Sequence, residues 1–197
     1  MRDEGILAVD LDGTVVRCNT FPRYVRFQVA EGVRRKDVRL VARLAAAVLL
    51  RRLRLIGHRA LKAEVVRQSG RVDGESCRAW ARELLRTHGN PEVVQRVAAW
   101  EGPKVLASAA PEACARAFAE LLSLDGCVGS VLAAGGLVDN EGEAKVDRLA
   151  AAGYRHITVA ITDDARADAP LLAAAREGYL VDAHGAVSSL RRPEPAR

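Results

Sequence analysis

Residues 6–14 read Ile-Leu-Ala-Val-Asp-Leu-Asp-Gly-Thr. Four successive apolar residues predict a short strand buried on both faces. Asp10 and Asp12 follow with one residue between them, and Gly13-Thr14 then reverses the chain. In an open α/β sheet, ligands gather outside the carboxyl ends of the strands. Two carboxylates placed there repel each other unless a cation joins them or one holds a proton. An isolated Asp-x-Asp is also a common way to end a strand in a solvated turn, so the remainder of the chain decides between these readings.

The pattern downstream of residue 100 is strand, helix, strand, helix. Strands are expected near 104–107, 128–132, 157–162 and 179–182, and helices near 111–122, 143–152 and 169–176. That alternation describes a parallel α/β sheet. Between the first strand and residue 100, a short hairpin-like piece at 15–19 gives way to sequence of helical period only. Helices are expected near 58–68, 76–87 and 92–99, separated by Ser69-Gly70, Asp73-Gly74 and Gly89-Asn90-Pro91. Val38, Val41, Leu44, Ala45, Val48, Leu49 and Leu53 suggest one apolar stripe on an earlier helix. The expected organisation is a discontinuous core, residues 1–16 and 101–197, with a helical block at 17–100 inserted after the first strand.

Charge divides along the same boundary. Residues 17–100 hold 19 Lys or Arg against 7 Asp or Glu, a net of +12, whereas the rest of the chain carries −7. The run 38–56 is apolar enough to raise the question of a membrane span. Arg39, Arg43, Arg51, Arg52 and Arg54 interrupt it, and no window reaches the roughly 18 uncharged residues that spanning requires. A buried helix, or an amphipathic one lying on an anionic surface, fits better. The two Trp, three Tyr and three Phe offer few stacking surfaces, and no nucleic-acid recognition motif occurs, so nucleic acid is not an expected partner. Cys18, Cys77, Cys114 and Cys127 form no C-x-x-C pair and have no His at ligand spacing, which argues for reduced thiols and against zinc. With no charged-then-apolar leader at the amino terminus, a cytoplasmic location is expected. The tail 191–197, with its two prolines, is expected to fray.

Asp10-Leu-Asp12-Gly-Thr14 resembles the first signature of the haloacid dehalogenase-like superfamily. The later signatures of that superfamily have counterparts here in order. Lys104-Val-Leu-Ala-Ser108 ends a strand in Ser, Asn140-Glu-Gly-Glu-Ala-Lys145 resembles the Gly-Glu-x-Lys form of the phosphoserine-phosphatase-like branch, and Ile157 to Thr162 leads into Asp163, Asp164 and Asp168. The resemblance runs from residue 6 to about residue 182. It implies a Rossmann-like α/β core with helices on both faces and an inserted helical cap. It further implies a Mg²⁺-dependent phosphatase acting on a small phosphorylated substrate through an aspartyl-phosphate.

In that scheme Asp10 is the nucleophile. Asp12 is the general acid and base, with its carbonyl facing the metal. Thr14, Ser108 and Lys145 contact the phosphate. The metal ligands are drawn from Asp10, Asp12, Asp163 and Asp164; the spacing to Asp168 admits either of the adjacent pair, and the small-residue-then-Asp step at Thr162-Asp163 favours Asp163. Asp168 orients Lys145 or the metal's water, while a helix-capping role for Asp163-Asp164 is the structural alternative. Enzymes acting on phosphoserine carry an acid in the flap after the first signature; the matching residue is Asn19, which argues against phosphoserine. A competing reading keeps the basic block as a polyanion- or membrane-surface-binding module beside a vestigial site, and peripheral membrane contact is compatible with either reading.

Overall fold

The computed structural model describes residues 5–190. Met1–Glu4 and Arg191–Arg197, and with them the start of the amino terminus and the expected frayed tail, lie outside the described residues. Seven strands form one sheet: β1 (Ile6–Val9), β2 (Lys104–Pro111), β3 (Gly126–Ala133), β4 (Gly136–Val138), β5 (Ile157–Thr162), β6 (Ala175–Val181) and β7 (Val187–Leu190), in the order β4-β3-β2-β1-β5-β6-β7. The five inner strands are parallel, as the alternating pattern requires. The outermost pairs are antiparallel, a departure from the all-parallel expectation. Both edge strands return through turns too short for a crossover helix: Gly136 at φ 107 opens β4, and Asp182–Gly185 joins β6 to β7.

The central strand is buried along its whole length. Its alternate residues serve two cores. Leu7 and Val9 pack on the face covered by α6 (Glu112–Leu121), through Cys114, Ala115 and Phe118. Ile6 and Ala8 pack on the face covered by α7 (Glu143–Ala151) and α8 (Ala169–Ala174), through Leu149 and Leu171. A sheet covered on both faces explains why the strands read as continuous apolar runs.

Five helices intervene between β1 and β2: α1 (Thr20–Arg34), α2 (Val38–Arg52), α3 (His58–Ser69), α4 (Gly74–His88) and α5 (Pro91–Ala99). The chain enters and leaves this block side by side. Arg17 N donates to His88 O at 2.8 Å and Asn90 N to Val15 O at 2.9 Å. The last helix, α5, keeps company with the sheet. Asn90 Nδ2 donates to Gly185 O at 3.0 Å, Val187 N to Glu92 Oε2 at 3.3 Å, and the Arg96 guanidinium lies over the Tyr179 ring. The two crossings at 15–17 and 88–90 are thus bonded to each other.

The expected stripe on α2 also differs. Leu40, Leu44 and Ala47 are buried, whereas Val38, Ala45, Leu49 and Leu53 face solvent. Apolar residues surround this helix, so periodicity alone does not identify the face that meets its neighbours. Among the described residues no helix is long and apolar enough to cross a membrane.

Candidate active site

Strand register assembles the site. Val9 lies level with Leu106 of β2 and Ile161 of β5, so the carboxyl ends of these three strands carry Asp10, Ser108 and Thr162-Asp163 side by side. The chain leaves β1 for β2 on one side and pairs with β5 on the other, and this is the switch point where an open α/β sheet leaves a crevice.

Asp10 is 7% exposed and Lys145 only 2%. Lys145 Nζ donates to Asp10 Oδ1 at 3.0 Å and to Asp168 Oδ1 at 2.6 Å, and Thr162 Oγ1 donates to Asp168 Oδ2 at 2.6 Å. The long-range partnership of Asp10 with Lys145 depends on the start of α7. Gly142 takes φ 59 and ψ −130, a conformation reserved for glycine, and delivers Lys145 in the first turn. Asp168 thus shares the lysine's ammonium with Asp10.

Burial lifts the Asp10 carboxyl from 3.8 to about 7, against the opposing attraction of Lys145. For Lys145, burial pulls downward but the Asp10 and Asp168 carboxylates outweigh it, and its affinity for a proton rises. Asp12 accepts from Thr20 N at 2.9 Å, at the amino end of α1. Burial nevertheless raises Asp12 above the ordinary carboxylate value.

Of the two adjacent acids, Asp163 approaches the first loop. A Cβ placed on Gly13, which has φ 70, would stand 1.9 Å from Asp163 Oδ2. The close packing of that carboxylate thus depends on glycine at position 13. Burial raises the proton affinity of Asp163 as well, with Asp164, Asp168 and Asp12 adding repulsion. Asp164 is engaged elsewhere. Its Oδ1 accepts from Arg166 N and Ala167 N, both at 2.9 Å, and these two bonds hold its carboxyl below the usual range. Asp164 thus closes the turn at 164–167 rather than capping α8, whose N-cap is Asp168 and makes no side-chain capping bond.

Ser108 Oγ accepts from Ala110 N at 3.1 Å, which leaves its proton available to a ligand. Asn140 Nδ2 donates to Ser108 O and to Val128 O, both at 3.0 Å, and so fixes the end of β2. Thr14 is wholly enclosed, and its Oγ1 has no partner.

A cleft of about 520 Å³ opens beside these groups, lined by Asp12, Gly13, Arg17, Asn19, Asp163 and Asp182 among others. Asn19 accepts from Phe21 N at 2.9 Å as the cap of α1. Arg17 and Asp182 went unnoticed in the sequence because neither belongs to a motif; only the fold brings β6 to the first loop. The same holds for Lys62 of α3, which is buried and paired with Asp139, joining the helical block to the sheet. Among the described residues no three His, Cys, Asp or Glu side chains form a ready-made metal cage. A cation that keeps most of its water, as Mg²⁺ does, needs only one or two carboxylates.

The chain belongs to the haloacid dehalogenase-like hydrolase family, whose model matches residues 7–173. It is similar in fold to a Bordetella pertussis protein of unknown function, with a TM-score of 0.62 at 16% identity over 89% of each chain. It is also similar to a probable phosphoserine phosphatase from Vibrio cholerae (TM-score 0.55, 19% identity), covering 88% of this chain and 55% of that one. A substrate-bound phosphoserine phosphatase complex matches with a TM-score of 0.50 at 12% identity, over 90% of this chain and 86% of the other. No curated protein sequence matches the chain.

Proposed function

We propose that this protein is a Mg²⁺-dependent phosphomonoesterase with Asp10 as its nucleophile. The observation that carries this reading is the buried chain Thr162–Asp168–Lys145–Asp10 at the tip of the central strand. Lys145 engages one oxygen of Asp10 and leaves the other free to attack phosphorus, with the ester oxygen departing in line. The ammonium also balances charge on the transferred group. Asp12, whose proton affinity is raised by burial, is suited to protonate the leaving oxygen and then to take a proton from the water that cleaves the aspartyl-phosphate. Ser108 donates its free hydroxyl proton to a phosphoryl oxygen, and Arg17 adds a cation at the cleft wall.

Three carboxyl groups around the strand tips are all pushed toward their protonated forms by burial, a donor set that fits a hard divalent ion. Asp10, Asp12 and Asp163 would hold Mg²⁺, which would supply charge neutralisation for the phosphoryl group. The helices between the paired crossings at 15–17 and 88–90 act as a cap that excludes water from the cleft. The flap residue Asn19 offers no carboxylate to a substrate ammonium, and this disfavours phosphoserine.

Purified protein should hydrolyse members of a broad phosphomonoester panel with Mg²⁺ and lose that activity in EDTA, and Asp10→Asn should abolish it. Silence across the panel with the metal present, or turnover that survives Asp10→Asn, would overturn the assignment. The vestigial-site alternative requires a broken constellation, whereas Asp10, Lys145, Asp168 and Ser108 are joined or adjacent.

A further inference from the structure

Most arginines of the helical block find partners within the protein: Arg35 pairs with Glu31 and Asp73, Arg71 with Asp37, Arg78 with Glu120, and Arg86 with Glu83. One segment departs from this. From Leu49 to Leu55 the chain reads Leu-Leu-Arg-Arg-Leu-Arg-Leu, and every residue of it is exposed. Leu49, Leu50, Leu53 and Leu55 expose 56, 38, 59 and 68% of their surface. Among the described residues Arg51, Arg52 and Arg54 make no ion pair.

The segment is held in shape. Leu55 N donates to Leu50 O at 2.9 Å and Arg54 N to Arg51 O at 3.1 Å, a helix closure of Schellman type with Arg54 at φ 59. An arginine in this left-handed position carries strain that glycine would avoid.

The tip stands at the same end of the helical block as the cleft. Thr20, at the start of α1, meets Asp12, and Phe21 beside it packs against the His58 ring with centroids 5.1 Å apart. His58 lies three residues beyond Leu55, a span of at most about 11 Å of chain.

We propose that Leu49–Leu55 docks the protein on an anionic lipid bilayer, and that the phosphomonoester it hydrolyses is a lipid headgroup presented at that surface. This second clause rests on the phosphatase reading above. Leucines interleaved with unpaired arginines suit the boundary between headgroups and acyl chains, where the apolar groups insert and the guanidinium groups meet lipid phosphates. A second copy of the chain suits the patch poorly, since a two-fold contact would set arginine against arginine. Nucleic acid would leave the leucines without a role.

The test uses the full chain with sedimentation on vesicles of phosphatidylcholine, with and without phosphatidylglycerol. It adds turnover of phosphatidic acid in those vesicles and of soluble p-nitrophenyl phosphate. Wild type should sediment only with the anionic vesicles, and less so as salt rises. Leu53→Asp with Leu55→Asp should lose about tenfold or more in partitioning per leucine. Phosphatidic acid turnover should fall with it, while p-nitrophenyl phosphate turnover stays unchanged. Wild type that ignores anionic vesicles, or a variant that keeps lipid turnover, overturns the proposal. So does a variant whose only change is dissociation of a dimer. Vesicle binding without hydrolysis of any phosphoester would leave the docking surface standing and refute the phosphatase reading instead; soluble turnover without vesicle binding would do the reverse.

Discussion

Lys145→Met removes one ammonium and keeps the aliphatic stem, leaving two carboxylates facing each other in a buried site. The ammonium bonds Asp10 at 3.0 Å and Asp168 at 2.6 Å, and all three residues are buried. Breaking a buried pair by deleting one partner typically costs about 3–5 kcal/mol. Asp10 can relieve part of this by taking a proton, since its carboxyl already sits at about 7, so the lower end of the range is expected near neutral pH. For a chain of this size that is a fall in Tm of roughly 10 °C. Urea unfolding in EDTA should report the loss with an unchanged m-value. Adding Asp168→Asn to Lys145→Met should recover part of it, because the second change then removes an uncompensated charge. Phosphatase activity should fall by about 10²–10³ in kcat, the usual consequence of losing one fixed donor to the reacting group. A cost under about 1 kcal/mol, or an Asp168→Asn that worsens Lys145→Met additively, would refute the claim that these three residues share one charge balance.

Other outcomes are expected of the same site. The folded-state value of Asp10, about 7, lies above its unfolded value of 3.8, so the native state holds the extra proton. Its contribution to stability is present at low pH and is lost as pH rises through 7. In metal-free buffer wild type should lose about 2–3 kcal/mol relative to Asp10→Asn between pH 5 and pH 8, and parallel pH–stability curves would contradict this. Mg²⁺ should restore wild-type Tm at pH 8 and leave Asp10→Asn unmoved, as thermal melts with and without the ion can register. Gly13→Ala must strain a φ of 70 and displace the Asp163 carboxylate; a destabilisation of about 1–2 kcal/mol together with lost activity is expected, and full activity would sink the placement of Asp163. Thr14→Val replaces an enclosed hydroxyl that has no partner, so denaturant titration should find stability unchanged or raised by about 1 kcal/mol.

The nine residues 6–14 and the three later signatures carried the fold class and named most of the candidate site in the sequence alone, because each is local: an apolar run ends, and a charged or hydroxyl residue follows at the strand tip or helix start. Asp10, Ser108, Lys145 and Asp168 needed only strand order to become neighbours. Tertiary structure decided what local pattern leaves degenerate. Asp163 and Asp164 are chemically equal in sequence, and the turn at 164–167 takes one carboxylate while Gly13 admits the other. The apolar residues of α2 read as one stripe until α1 and α3 select Leu40, Leu44 and Ala47 and leave the leucines of its far end in solvent. Arg17 and Asp182 belong to no motif, since nothing but the strand order β1-β5-β6 brings them together. Residue type and spacing specify which chemistry a chain can perform; burial, which depends on every other residue, determines which of its equivalent groups remain available to perform it.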